Sequence, residues 1–311
     1  MTYKSLFSIF FLMLVSASMV HAQETPQVNY RANPQRTAVY EAEAIDESPI
    51  IAWQRTFAAT DVDVFGVDDQ LFVSATEQRN QTTLYALTTS GDDLWSVKMR
   101  GAIMGPVAYG HGLLLMGLST GILTAVDTQN GETSWIFTES GRVWGAPLVV
   151  DNRVYIASAR GWFALDAETG DQIWHNDACG ESGTAVLTDG ILFFPCRTSI
   201  EAVAAETGSS LWSVKLEGGP IYSLAVEGDG LIATGEQSLY AVSLQTQAVV
   251  WQSDASLNWS APTVTAERVF AGNMDGFMYA YDRASGDLLW SLDVDDWATT
   301  EPSLIGSGLY L

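Results

Sequence analysis

The sequence predicts an all-β fold, a β-propeller of four-stranded blades. Three observations carry this: a ladder of evenly spaced tryptophans, a turn motif that recurs with them, and no helical periodicity beyond the N-terminal apolar run. The ladder is Trp53, Trp95, Trp135, Trp174, Trp212, Trp251 and Trp290, at intervals of 42, 40, 39, 38, 39 and 39 residues. A period near 40 means one supersecondary unit used repeatedly, each burying its apolar face against the next.

In chain order, residues 1–22 place one cation, Lys4, before an apolar run from Leu6 to Val15, and small residues lead to Val20-His21-Ala22. This reads as a secretory signal peptide cleaved after Ala22, since the run is shorter than the ~20 apolar residues that span a bilayer. No cysteine follows the cleavage point to carry a lipid. The mature chain is therefore expected to be exported, periplasmic or outer-membrane associated, with no transmembrane segment. Residues 23–47 are polar and acidic and are expected to form a flexible segment, and residues 48–311 form the propeller domain.

Before each tryptophan from Trp95 onward stands a variant of one element: ALTTSGDDLW (86–95), AVDTQNGETSW (125–135), ALDAETGDQIW (164–174), AVAAETGSSLW (202–212), AVSLQTQAVVW (241–251) and AYDRASGDLLW (280–290). Its parts have separate mechanical roles. Two short apolar strands flank a turn in which Gly131, Gly170, Gly208 and Gly286 can take a positive φ. Asp127, Asp166 and Asp282 can accept from nearby backbone amides and fix the turn. The tryptophan can bury a large ring against the neighbouring unit. Upstream segments such as APLVVDNRVYIAS (146–158) and APTVTAERVFAG (261–272) read as two further strands, giving four per repeat.

The element Ala-x-Asp-x-x-Thr-Gly-x-x-x-Trp resembles the tryptophan-docking repeat of the PQQ-like, quinoprotein-type propellers, and ALDAETGDQIW matches it in full. The resemblance covers about residues 48–311. It implies a propeller of seven or eight blades when complete. Two kinds of function follow from it. The first is a non-catalytic scaffold for protein partners, similar to the propeller subunit of the outer-membrane β-barrel assembly machinery. The alternative is an oxidoreductase, or a fragment of one, that binds pyrroloquinoline quinone with calcium. Such enzymes stack the quinone on a disulfide between adjacent cysteines, whereas Cys179 and Cys196 lie 17 residues apart.

Ring closure follows from the phase of the ladder. Trp53 ends an outer strand with no inner strands before it, so that strand is expected to complete a blade begun at the C-terminus. Six blades are complete, and the segments around 300–305 and 308–311 begin a seventh. The chain is accordingly expected to be truncated at its C-terminus.

With 37 acidic and 14 basic residues the net charge is -23, which argues against nucleic acid as a partner. No Asp-x-Asp-x-Asp-Gly calcium loop, Gly-x-Ser-x-Gly elbow or Gly-Lys-Ser/Thr phosphate loop occurs, and the histidines are scattered, so no catalytic, cofactor-binding or metal residues are assigned. Cys179 and Cys196 fall at the same end of one predicted hairpin, with Asp189-Gly190 as its turn, and export permits a disulfide. The off-ladder residues Trp144 and Trp259 sit three positions before prolines, where the chain enters an innermost strand. Ile103, Ile221 and Glu181 align with them. This position is a candidate interaction face for a peptide or small ligand, weighed against packing between blades.

Overall fold

A computed structural model of the chain describes residues 7–12, 31–40, 51–77, 81–138, 141–143, 145–179, 183–253, 260–294 and 301–310. Six four-stranded antiparallel sheets follow one another along it, each a meander in chain order. Blade 1 runs from Asp61–Val67 to Asp93–Lys98 and blade 2 from Ala108–Gly110 to Thr133–Phe137. Blade 3 runs from Leu148–Val150 to Gln172–Asn176 and blade 4 from Val186–Thr188 to Ser210–Lys215. Blade 5 runs from Ile221–Glu227 to Ala248–Ser253 and blade 6 from Thr263–Val264 to Leu288–Asp293.

The strands differ in pattern because they differ in burial. Middle strands are covered on both faces by neighbouring blades, so Leu113–Gly117 and Arg153–Ser158 are almost wholly buried and read as apolar runs. Outer strands cover one side only: in Thr133–Phe137, Trp135 and Phe137 are buried while Ser134 and Ile136 face outward. Hydrophobic clusters accordingly form between blades. One joins Phe72 and Leu84 of blade 1 to Leu114 and Met116 of blade 2, and another joins Phe193 and Ile200 of blade 4 to Leu224 and Leu231 of blade 5.

Tight turns join the strands. At Asp189-Gly190 both residues have positive φ (49° and 73°), the geometry whose twist suits a two-residue hairpin. Cys179 and Cys196 are joined in a disulfide with Cα atoms 5.8 Å apart, the chain before blade 4 closing onto the end of Ile191–Cys196.

Two expectations about the ends need correction. Ile51–Phe57, the strand of Trp53, pairs with Phe7–Leu12 and not with the C-terminal hairpin Ser303–Ile305/Gly308–Tyr310. A strand edge has backbone donors and acceptors to satisfy, and in the uncleaved chain a segment inside the expected signal peptide meets them. The C-terminal hairpin instead gains a parallel neighbour, Val39–Tyr40. The second correction concerns residues 31–40. This part of the segment expected to be flexible is packed against the ring, with Arg31, Arg36, Thr37 and Ala38 buried.

Candidate functional site

The ladder tryptophans are docking residues. Trp53, Trp95, Trp135, Trp174 and Trp251 each donate the ring N–H to a turn carbonyl of the following blade: Thr89, Thr128, Ala167, Ala205 and Arg283, at 2.8–3.0 Å. Each ring also lies over that blade's turn glycine. A Cβ added to Gly131, Gly170, Gly208 or Gly286 would approach the preceding tryptophan to 2.6 Å. The glycine thus serves the turn, through its positive φ, and the ring, through its missing side chain. Trp212 is half-buried against the cluster between blades 4 and 5, while Trp290 at the outer edge of blade 6 is 37% exposed.

Asp127, Asp166 and Asp282 fix the turns. Asp282 accepts from the amides of Ala284 and Ser285 at 3.0 and 2.9 Å, and the Ser285 amide and hydroxyl chiefly hold its carboxyl below the usual range. Burial pushes the Asp166 carboxyl up, but bonds from Thr169, Glu168 and Asn152 bring it below that range. These carboxylates are committed to local backbone.

The most constructed polar site lies where the innermost strands meet residues 31–40, which cross them as a strap. The carbonyls of Pro34, Gln35, Thr37 and Ala38 accept the amides of Leu187, Val226, Val264 and Leu304 at 2.9–3.0 Å, one blade after another from blade 4 to the C-terminal hairpin. Arg36 is fully buried and donates to the carbonyls of Ala185 (2.6 Å) and Ala146 (3.2 Å). Arg31 donates to the Pro262 carbonyl (2.6 Å) and Thr263 Oγ1 (3.2 Å), and lies 3.3 Å from the Glu301 carboxylate. Burial lowers Arg31 to about 10, and burial together with the Arg31 charge lowers Arg36 to about 9. Both guanidinium groups are therefore cations at neutral pH, and the carbonyl dipoles around them offset part of their lost hydration.

The strap holds itself in an unusual conformation. Arg31, Ala32, Arg36 and Ala38 all have φ between 55° and 74°, and Asn33 bridges to Thr37 through its side chain (2.6 Å). Left-handed non-glycine residues persist where the surroundings over-determine them. No periodicity in RANPQRTAVY signals this. The visible clue is two of the 14 basic residues set in an otherwise acidic segment.

The predicted rim residues divide. Trp144, Glu181 and Trp259 lie outside the described residues. Ile221 is fully buried between blades 4 and 5, so it offers no surface to a ligand. Ile103 is half-buried against the cluster between blades 1 and 2. For these two, packing is the role, because the entry to an inner strand lies in the seam between blades. Two acceptors of the strap nonetheless lie close by in sequence: Ala146 follows Trp144 by two residues, and Pro262 follows Trp259 by three.

A second concavity, a cleft of about 780 Å³ between blades 3 and 4, is lined by Asp151, Asn152, Arg153, Tyr155, Asp166 and Glu206 among others. Its polar groups answer one another. The Ala205 carbonyl accepts from Arg153 (3.1 Å), Tyr155 (3.3 Å) and Trp174 (2.9 Å), and Asn152 donates to Asp166 (2.8 Å). Among the described residues no group of three His, Cys, Asp or Glu side chains is placed to hold a metal ion, and no helix is long and apolar enough to cross a membrane.

Known proteins align with this architecture. Residues 80–194 and 196–308 match a family model described as outer membrane protein assembly factor BamB. The protein of that name from Moranella endobia is 26% identical over 207 residues, covering 56% of this chain and 53% of its own length. The crystal structure of BamB from Moraxella catarrhalis superposes with a TM-score of 0.66 at 19% identity, over 79% of this chain and 80% of that one, which supports the fold. A polyvinylalcohol dehydrogenase from a Pseudomonas species is 26% identical over 186 residues, covering 54% of this chain and 25% of its own. The chain spans about half the length of the Moranella relative.

Proposed function

Because the chain belongs to the PQQ-like repeat family described as outer membrane protein assembly factor BamB, we propose that it is a non-catalytic, exported scaffold whose propeller presents surfaces to protein partners of outer-membrane assembly. The observation that carries this is the family match from the second half of blade 1 through blade 6, together with polar residues committed to holding the ring. Turn aspartates bond turn amides, ladder tryptophans bond turn carbonyls, and the buried arginines bond inner-strand carbonyls. An exported location, periplasmic or at the outer membrane after cleavage at Ala22, belongs to this reading.

The test is genetic and direct. Deleting the gene in its source organism should lower the amount of folded outer-membrane β-barrel protein, and the full-length gene should restore it. Unchanged barrel protein levels would overturn the assembly role.

The oxidoreductase reading keeps one favourable observation, the likeness to a polyvinylalcohol dehydrogenase. What speaks against pyrroloquinoline quinone is the cysteine arrangement: the disulfide joins positions 17 apart, where the enzymes use adjacent cysteines. Adding quinone and calcium to the purified protein decides the matter, since a ligand at about 100 times its Kd stabilises by about 2.7 kcal/mol and raises the melting midpoint. A raised midpoint with quinone-dependent oxidation of an alcohol would overturn the scaffold reading.

A further inference from the structure

We propose that the axial side of the ring is a binding site for an arginine-bearing peptide, and that residues 31–40 are its resident, exchangeable occupant. The ring offers two kinds of group. The amides of Leu187, Val226, Val264 and Leu304 form a row of donors on successive innermost strands, and the carbonyls of Ala146, Ala185, Pro262 and Pro302 form a set of acceptors. The donors meet main-chain carbonyls, so they read the backbone of a segment that follows the path of the strap and not its side chains. The acceptors, with the Glu301 carboxyl group beside them, select a group with several N–H donors in a plane. A guanidinium meets that requirement where an ammonium, with its compact donor set, meets it poorly.

The occupant is held by the ring and not by itself. Four of its non-glycine residues are left-handed, a conformation costing on the order of 1 kcal/mol at each position, so the free segment does not keep this shape. It is held by hydrogen bonds and an ion pair with Glu301, and neither kind of contact is covalent. An equivalent segment supplied by another protein can therefore satisfy the same groups once the strap leaves. This inference stands on the strap geometry and is independent of the assembly role.

The test uses the full-length chain and a fluorescent peptide of sequence RANPQRTAVY, followed by anisotropy. Arg36→Ala loosens the resident strap by removing charge-assisted bonds, so this variant should take up the peptide roughly ten-fold more tightly than the wild type. A peptide with both arginines replaced by alanine should not bind. If the folded variant takes up no peptide, or takes up the alanine peptide equally well, the proposal fails. Hydrogen exchange on the wild type supplies a test free of any folding defect. The amides of Leu187, Val226, Val264 and Leu304 should exchange together through a local opening, ahead of blade-centre amides such as Phe193. Exchange of all of them only with global unfolding would make the strap a fixed part of the fold and overturn the proposal.

Discussion

A ladder tryptophan and the glycine it covers, such as Trp135 and Gly170, form the smallest unit that holds this ring together. The ring of Trp174 is 7% exposed and hydrogen-bonded to the Ala205 carbonyl, so Trp174→Ala removes both a buried aromatic surface and a satisfied donor. Urea unfolding should show a loss of about 3–5 kcal/mol. Trp290→Ala, at a site 37% exposed, should cost roughly 1 kcal/mol or less in the same measurement. The glycines allow a sharper comparison, because two of them share a backbone conformation and differ in surroundings. Gly170 (φ 75°) would place a Cβ 2.6 Å from Trp135, whereas a Cβ on Gly190 (φ 73°) would meet nothing within 4 Å. Gly190→Ala should therefore cost about 1 kcal/mol, the backbone strain alone. Gly170→Ala should add a displaced tryptophan and cost several times more, unless the ring N–H to the Ala167 carbonyl can be kept after a shift.

At the scale of the element, the turn and the docking of a tryptophan on the neighbouring unit were legible in the sequence, and the glycine beneath the ring was not. Asp166, Thr169 and Gly170 announce a tight turn through their local chemistry, and the bonds from Glu168 and Thr169 to the Asp166 carboxylate at 3.0 and 2.9 Å are what that chemistry provides. The tryptophan above the glycine comes from the previous blade, a long-range partner that a local pattern does not name. The strap lies further from reach, since Arg31 and Arg36 are bound by backbone carbonyls, and any residue carries one. Lowered carboxyls at Asp166 and Asp282 set a pH dependence. A depressed folded value means that the stabilisation is complete above the unfolded value near pH 4 and is lost as the pH falls through the lower folded value. In urea titrations between about pH 5 and pH 2, a double variant Asp166→Asn, Asp282→Asn should lose less stability on acidification than the wild type. The hairpin of blade 4 carries a further constraint. Reducing Cys179–Cys196, which closes a loop of 17 residues, should lower unfolding free energy by about 3 kcal/mol, read as a shift in the urea midpoint on adding reductant.

Across the whole molecule, cohesion comes from nearest neighbours, since the apolar clusters join adjacent blades, while the strap spans blades 3 to 6 and the C-terminal hairpin. That arrangement leaves a repeat protein exposed to a force that acts between all of its parts at once. The chain has a net charge of -23, an excess of acid that remains after every basic residue, such as Arg55 beside Asp93, has been counted. Self-repulsion of this size opposes the compact state, and it is felt over the distance that salt allows. Raising monovalent salt from about 0.01 M to about 0.15 M shortens that distance from about 30 Å to about 8 Å, less than the span of one blade's neighbours. The melting temperature measured by calorimetry should therefore rise across this interval and level off above it. A midpoint that falls with salt would mean that local ion pairs, which screening weakens, outweigh the repulsion, and the acidic surface would then be a paired one. A rise would leave the acid as unpaired surface charge, which a cationic occupant such as the arginine strap relieves at the axis of the ring.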